Sequence, residues 1–191
     1  MLSELWRSAK IFGLLSVITG IIYPWMITVS GNYFFPDQVE GSVVRSNGKL
    51  IGSKWLGQKF ESDIYFHSRP SAVEFETIPS GAGNLGPTSQ LLISQVEERR
   101  VSFLEKNKLS PETEIPVEML FASGSGLDPH ISRRSAELQM NRVADARHFS
   151  EEQRLELIQL IKKQTETPQF MIFGEERINV LLLNLAVDAI K

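Results

Sequence analysis

Residues Ile11 to Val29 read IFGLLSVITGIIYPWMITV, 19 positions without one charged side chain. No other stretch limits the possible folds as strongly. As a helix it spans about 28 Å, close to the ~30 Å hydrocarbon core of a bilayer. Gly13, Gly20 and Pro24 make it a poor soluble helix and an ordinary membrane one. Arg7 and Lys10 stand just before it, and Asp37 and Glu40 are the first charges after it. The positive-inside rule then predicts a cytoplasmic tail over residues 1–10, a transmembrane helix over 11–29 and an extracytoplasmic domain over 30–191. Tyr23, Trp25, Tyr33, Phe34 and Phe35 gather toward the outer interface, where amphipathic rings settle. A cleaved signal peptide is the competing reading, with Val29-Ser30-Gly31 as the cleavage site. Its apolar region is ordinarily only about 7–15 residues, shorter than this one.

Ala9, Gly13, Ser16 and Gly20 recur at spacings of 4, 3 and 4, one stripe of small residues on a helix. Small stripes let helix backbones approach closely in lipid. The stripe is therefore expected to dock another membrane helix. The competing reading is that Gly and Ser are simply common in such segments.

Beyond the apolar stretch the sequence has the balance of a packed domain. Hydrophobic residues make up 42% of the chain, so a core can form. The net charge of −3 gives no reason to expect a nucleic-acid partner. The chain has no cysteine, which removes disulfides, thiolate metal sites and thiol nucleophiles. His67, His130 and His148 lie far apart without zinc-site spacing, so no metal is expected.

Gly41–Gly57 reads as a hairpin turning at Asn47-Gly48. Asp63–Ser68 reads as a further strand, and Pro70, Pro79 and Pro87 punctuate an irregular stretch. Thr88 to about Lys106 predicts a helix with Leu92, Val96 and Phe103 on one side. Its Glu97-Glu98-Arg99-Arg100 run reads as a solvated face. Pro116–Ser123 suggests a strand, and Ser132–Arg147 a helix. Ser150-Glu151-Glu152-Gln153 is a capping-box pattern opening a helix to about Thr165. Arg177–Ile190 predicts a core helix with a polar stripe of Arg177, Asn184, Asp188 and Lys191. The order implies an α+β class: a single amino-terminal transmembrane helix, then one compact mixed α/β soluble domain.

SGSGLDPHIS, Ser123–Ser132, is the most chemical-looking segment. As a hydrolase elbow it fails, because Ser125 lacks Gly two residues to either side. A triad of Ser125, Asp128 and His130 would lie within six residues, whereas triads are built from distant segments. As an anion cradle, Gly124 and Gly126 would let N–H groups converge, with Asp128 as N-cap and Pro129 as N1 of a helix. The loop has no Lys, and Asp128 itself opposes an anion. The plainest reading is a tight capped turn from strand to helix. In YFHSRPSA (Tyr65–Ala72), His67 and Arg69 either bind an anion or tie a loop to the body. SGAGNLGPTS (Ser80–Ser89) is a glycine-rich entry to a helix.

These three loops in this order, followed by QMNRVADAR and by the terminal INVLLLNLAVDAIK, resemble the C subunit of the bacterial potassium-transporting P-type ATPase, the Kdp complex. The resemblance runs from the apolar segment to the last helix. The chain departs from that family's usual pattern at Gly83, Ser89 and Arg133, where Ser, Asn and Pro are common. The resemblance implies a single-pass accessory subunit in the bacterial cytoplasmic membrane, without catalysis of its own. Its implied partners are a channel-like potassium-carrying subunit and an ATP-hydrolysing P-type subunit, besides membrane lipid. It further implies a catalytic chaperone role that raises ATP affinity. ATP contact would then fall to Ser123, Gly124, Ser125, Gly126, Asp128 and His130, with Gln139 for the base. The sequence itself contains no Asp-Lys-Thr-Gly-Thr phosphorylation motif, no Walker loop and no Thr-Val-Gly-Tyr-Gly filter. Positive-inside orientation also puts Ser123–Ser132 on the side away from cytoplasmic ATP. Two other classes remain open from the residues alone: an anchored envelope hydrolase using Ser125, and an anchored ligand-binding module.

Overall fold

A computed structural model of the chain describes residues 1–46 and 48–190. Asn47 of the expected turn and Lys191 of the expected polar stripe lie outside the described residues. The chain divides into two units, Met1–Ser53 and Lys54 onward.

The first unit is built on one long helix, Leu2–Phe34, long and apolar enough to cross a membrane. It comprises α1 (Leu2–Val17), a π-helical turn (Ile18–Ile22) and α2 (Tyr23–Phe34). Pro24 explains the π turn. It brings no N–H, and its ring crowds the carbonyl four residues back, so the preceding turn widens. Tyr23 accordingly reaches back five residues, its N–H donating to the carbonyl of Ile18. The Thr19 hydroxyl donates to the Leu15 carbonyl, and that of Thr28 to Pro24, so these polar groups satisfy themselves within the helix. No side chain of α1 or α2 is buried. A short helix α3 (Pro36–Val39) follows, then the hairpin β1 (Val43–Ser46) and β2 (Lys49–Ser53). The strands pair antiparallel with Val43 opposite Ser53 and a bulge between Val44 and Arg45.

The second unit is α+β, as the element order implied. Its helices are α4 (Gln90–Lys106), α5 (Arg133–Ala146), α6 (Glu151–Gln164) and α7 (Val180–Val187), with a 3-10 turn at Val117–Met119. Two short strands, β3 (His130–Ile131) and β4 (Ile178–Asn179), pair antiparallel. The core joins Phe66, Phe103, Met119, Ile131, Val143, Leu157, Ile161, Ile178, Leu183 and Val187. Local chemistry sets the helix starts. Ser89, Ser132, Ser150 and Asn179 each accept a backbone N–H of the first turn, and Ser150 with Gln153 completes the capping box.

Three expectations are corrected. Pro116–Ser123 is not a strand; Pro116 leads directly into the 3-10 turn. The final helix begins at Val180, because Ile178 and Asn179 first pair with β3. Asp63–Ser68 is not a strand either, although Phe66 is fully buried. Its backbone is paired by side chains instead of a neighbouring strand. Asn184 accepts from the Phe66 N–H at 2.8 Å and donates to the Phe66 carbonyl at 2.9 Å. Gln139 does the same for His67, at 2.7 and 3.2 Å. Arg142 donates to the carbonyls of Asp63 and Tyr65, and Arg147 to that of Ile64. A buried segment must satisfy its peptide groups, and here helix side chains supply what a ladder would.

Candidate functional site

The loops singled out in the sequence converge in space. Ser123–Ser132 forms the centre. The Gly81 N–H donates to the Ser125 carbonyl at 3.0 Å, joining the glycine-rich segment to it. The Gly57 N–H donates to the Leu127 carbonyl at 2.7 Å. Arg69 reaches in from the YFHSRPSA segment and meets Asp128 at 2.8 Å. Gly126 sits at φ +71°, and a Cβ there would lie 2.6 Å from Val73 Cγ2 and 2.8 Å from the Gly81 carbonyl oxygen. Left-handed backbone and close approach both require glycine at this point.

The candidate contact residues fare differently. Gly124 and Ser125 are exposed, and the Ser125 hydroxyl accepts the Leu127 N–H at 3.1 Å. Ser123 is 4% exposed, and its hydroxyl has no hydrogen-bond partner among the described residues. Asp128 does not cap a helix as expected. Its carboxylate accepts the His130 N–H at 3.0 Å and lies 3.3 Å from His130 Nδ1, while Arg69 holds its other oxygen. Ser132 takes the N-cap instead, because β3 intervenes between Pro129 and the helix. Burial opposes ionisation of Asp128, but the hydrogen bonds from His130 and the ion pair with Arg69 outweigh it. Its pKa is lowered to about 2. His130 Nε2 is buried without a partner among the described residues, so neither serine hydroxyl is on it and no Ser-His pair is assembled. Gln139 has no exposed surface, and its amide is taken by His67 and Arg142.

Two cavities flank Arg69. One, of about 630 Å³, opens beside Asp128, His130 and Ser132. Glu118, Asp128, Glu175 and Glu176 line it against Arg69 and Arg177, an acidic balance that disfavours a polyphosphate. The other, of about 470 Å³, holds Lys59, Arg69, Arg99 and Lys106 against Glu61 and Glu98. Sequence reading passed over this basic side, because its cations come from three separate segments. His67 also lines it, and its pKa is lowered to about 4 by burial and by the nearby Arg142 charge. Among the described residues no group of three or more His, Asp or Glu could hold a metal ion.

Gly13, Ser16 and Ala9 lie on α1, whereas Gly20 falls inside the π turn. A π turn advances each residue by a smaller angle than an α turn, so Gly20 is rotated from the line of the other three.

Comparison with known proteins covers nearly the whole chain. Residues 5–189 match the family model described as KdpC: K+-transporting ATPase, c chain. A protein of Leptospira interrogans named potassium-transporting ATPase KdpC subunit is 45% identical over 182 residues, covering 95% of this chain and 92% of its own. A protein of the same name from Photorhabdus laumondii is 43% identical, covering 91% of this chain and 90% of its own. One from Mycobacterium bovis is 42% identical, covering 91% of both chains.

Proposed function

The chain belongs to the KdpC family, the c chain of K+-transporting ATPases, and from that premise we propose that it is a non-catalytic accessory subunit of an ATP-driven potassium uptake pump. Its partners on this reading are a channel-like potassium-carrying subunit and an ATP-hydrolysing P-type subunit. The amino terminus lies inside the cell, Leu2–Phe34 crosses the cytoplasmic membrane, and the soluble unit stands outside, where it braces the potassium-carrying subunit. Any gain in the pump's ATP affinity comes through assembly of the complex, not through a nucleotide held by this chain.

One observation carries the reading of the Ser123–Ser132 loop. Its polar groups are turned inward: Asp128 onto Arg69 and His130, the Ser125 carbonyl onto Gly81, the Leu127 carbonyl onto Gly57. A nucleotide site needs free donors converging on a phosphate. Here the charge nearest the loop is a carboxylate, and Gln139 has no face to offer a base. Such a loop suits a rigid docking surface, with Gly124 and Ser125 at its exposed crest.

The location is tested through Ser125. The chain has no cysteine, so Ser125→Cys supplies the only thiol. A membrane-impermeant thiol reagent applied to intact cells is expected to label it without lysis. Labelling that appears only after lysis would put the loop in the cytoplasm and overturn the orientation.

A further inference from the structure

Four strongly exposed apolar residues of the second unit stand together. Phe170, Met171, Ile172 and Phe173 are 85%, 87%, 77% and 66% exposed. They form the tip of a narrow ribbon. At its base Glu166 and Arg177 exchange backbone hydrogen bonds of 2.8 and 3.1 Å, and their side chains pair at 3.1 Å. Nearer the tip Gln169 and Phe173 exchange two more of 2.9 Å each. Phe170 and Met171 turn the chain at φ +54° and +61°. Left-handed backbone at both central positions of such a turn ordinarily falls to Asn and Gly. Here a benzyl and a thioether side chain occupy it and bury nothing within the chain. Folding gives no reason for these residues.

The tip is convex, so it enters something soft or something hollow. The same chain carries a helix fit to cross a membrane, and Phe34 is followed by only 19 residues before the second unit begins at Lys54. That tether holds the ribbon within reach of a bilayer surface, at most about 70 Å of extended chain. Along residues 162–177 the charges cancel, Lys162, Lys163 and Arg177 against Glu166, Glu175 and Glu176, and Lys54 also reaches Glu166 at 3.8 Å. A neutral flank neither repels an anionic surface nor needs one. Apolar tips of this kind settle at the boundary between headgroups and acyl chains.

We propose that the Phe170–Phe173 tip inserts into the surface of the bilayer in which the chain's own amino-terminal helix is anchored. This gives the soluble unit a second membrane contact and restricts its tilt. It rests on the anchoring of Leu2–Phe34 but not on the orientation, since a bilayer offers such a boundary on either side.

The test uses the full chain alone in phosphatidylcholine vesicles carrying a spin-labelled lipid that quenches fluorescence at the boundary. Single thiols are introduced by Ile172→Cys at the tip, Lys163→Cys beside it and Phe12→Cys in the span, each bearing the same small fluorophore. Quenching at position 172 is expected to exceed that at 163 several-fold. Adding Phe170→Ser and Met171→Ser to Ile172→Cys should remove the excess while the unfolding midpoint stays put, because these side chains are 85% and 87% exposed. Equal quenching at 172 and 163, with 12 quenched, overturns the tip contact and leaves a protein pocket as its occupant. Excess quenching that survives the two serines comes from the fluorophore and overturns it equally. If position 12 is also unquenched, the anchoring fails and the proposal with it.

Discussion

Asp128 concentrates the electrostatics of the loop cluster. Its folded pKa of about 2 lies below the ordinary 3.8, so the folded state favours the ionised form. The stabilisation is present above the unfolded pKa and is lost as pH falls from about 4 through about 2. His67 acts over a higher window. Its folded pKa of about 4 lies below 6.5, so the folded state favours the neutral ring, and stability falls as pH drops from 6.5 toward 4. Denaturant titrations of the whole chain are expected to show both losses. Asp128→Asn should flatten the lower one and His67→Gln the upper one. A profile unchanged by either substitution would mean these contacts carry no linkage. Asn184 is the other decisive residue. Asn184→Ala leaves the N–H and carbonyl of Phe66 buried without partners. It is expected to lower unfolding free energy by roughly 2–4 kcal/mol, read from the denaturant midpoint. A loss no larger than that of an exposed substitution would show the amide contact to be dispensable.

Among the elements, those set by local chemistry were legible. The capping box at Ser150 before α6 and the uncharged run Ile11–Val29 are signals carried by neighbouring residues. Arg133 stands at the first position of α5, where it pairs with Glu137 at 2.8 Å. What could not be read depended on distant partners. Phe66 looks like a strand residue because it is buried, yet Asn184 and Gln139 lie far along the chain, and nothing near position 66 announces them. Asp128-Pro129 looks like a helix start, but Asn179 lies opposite His130 and the Pro129 carbonyl accepts the Val180 N–H, so the helix is delayed to Arg133. The loops' convergence was likewise invisible, although each loop's sequence was already distinctive. For the membrane helix, the small residues that stay in line on α1 make a specific demand. Gly13→Leu with Ser16→Leu should reduce co-purification of membrane partners from mild detergent, since two isobutyl groups would hold helices apart. Undiminished recovery would show that the stripe is not a docking face.

At the scale of the whole molecule, the proposed role is that of an anchored subunit whose fold builds a surface rather than a reaction centre. The loops brace each other, the cavity beside Asp128 is acidic, and no residue of α1 or α2 is buried among the described residues. Each feature makes sense if other chains complete the structure. The central claim is therefore about company. The most direct measurement is affinity recovery of the tagged full chain from its native membrane in mild detergent, with mass identification of what comes with it. The account predicts two larger membrane proteins in fixed ratio to the chain, one a P-type ATPase, with ATP hydrolysis in the complex and none in the chain purified alone. Recovery of the chain by itself, or hydrolytic activity in the chain alone that is lost on Ser125→Ala, would contradict it.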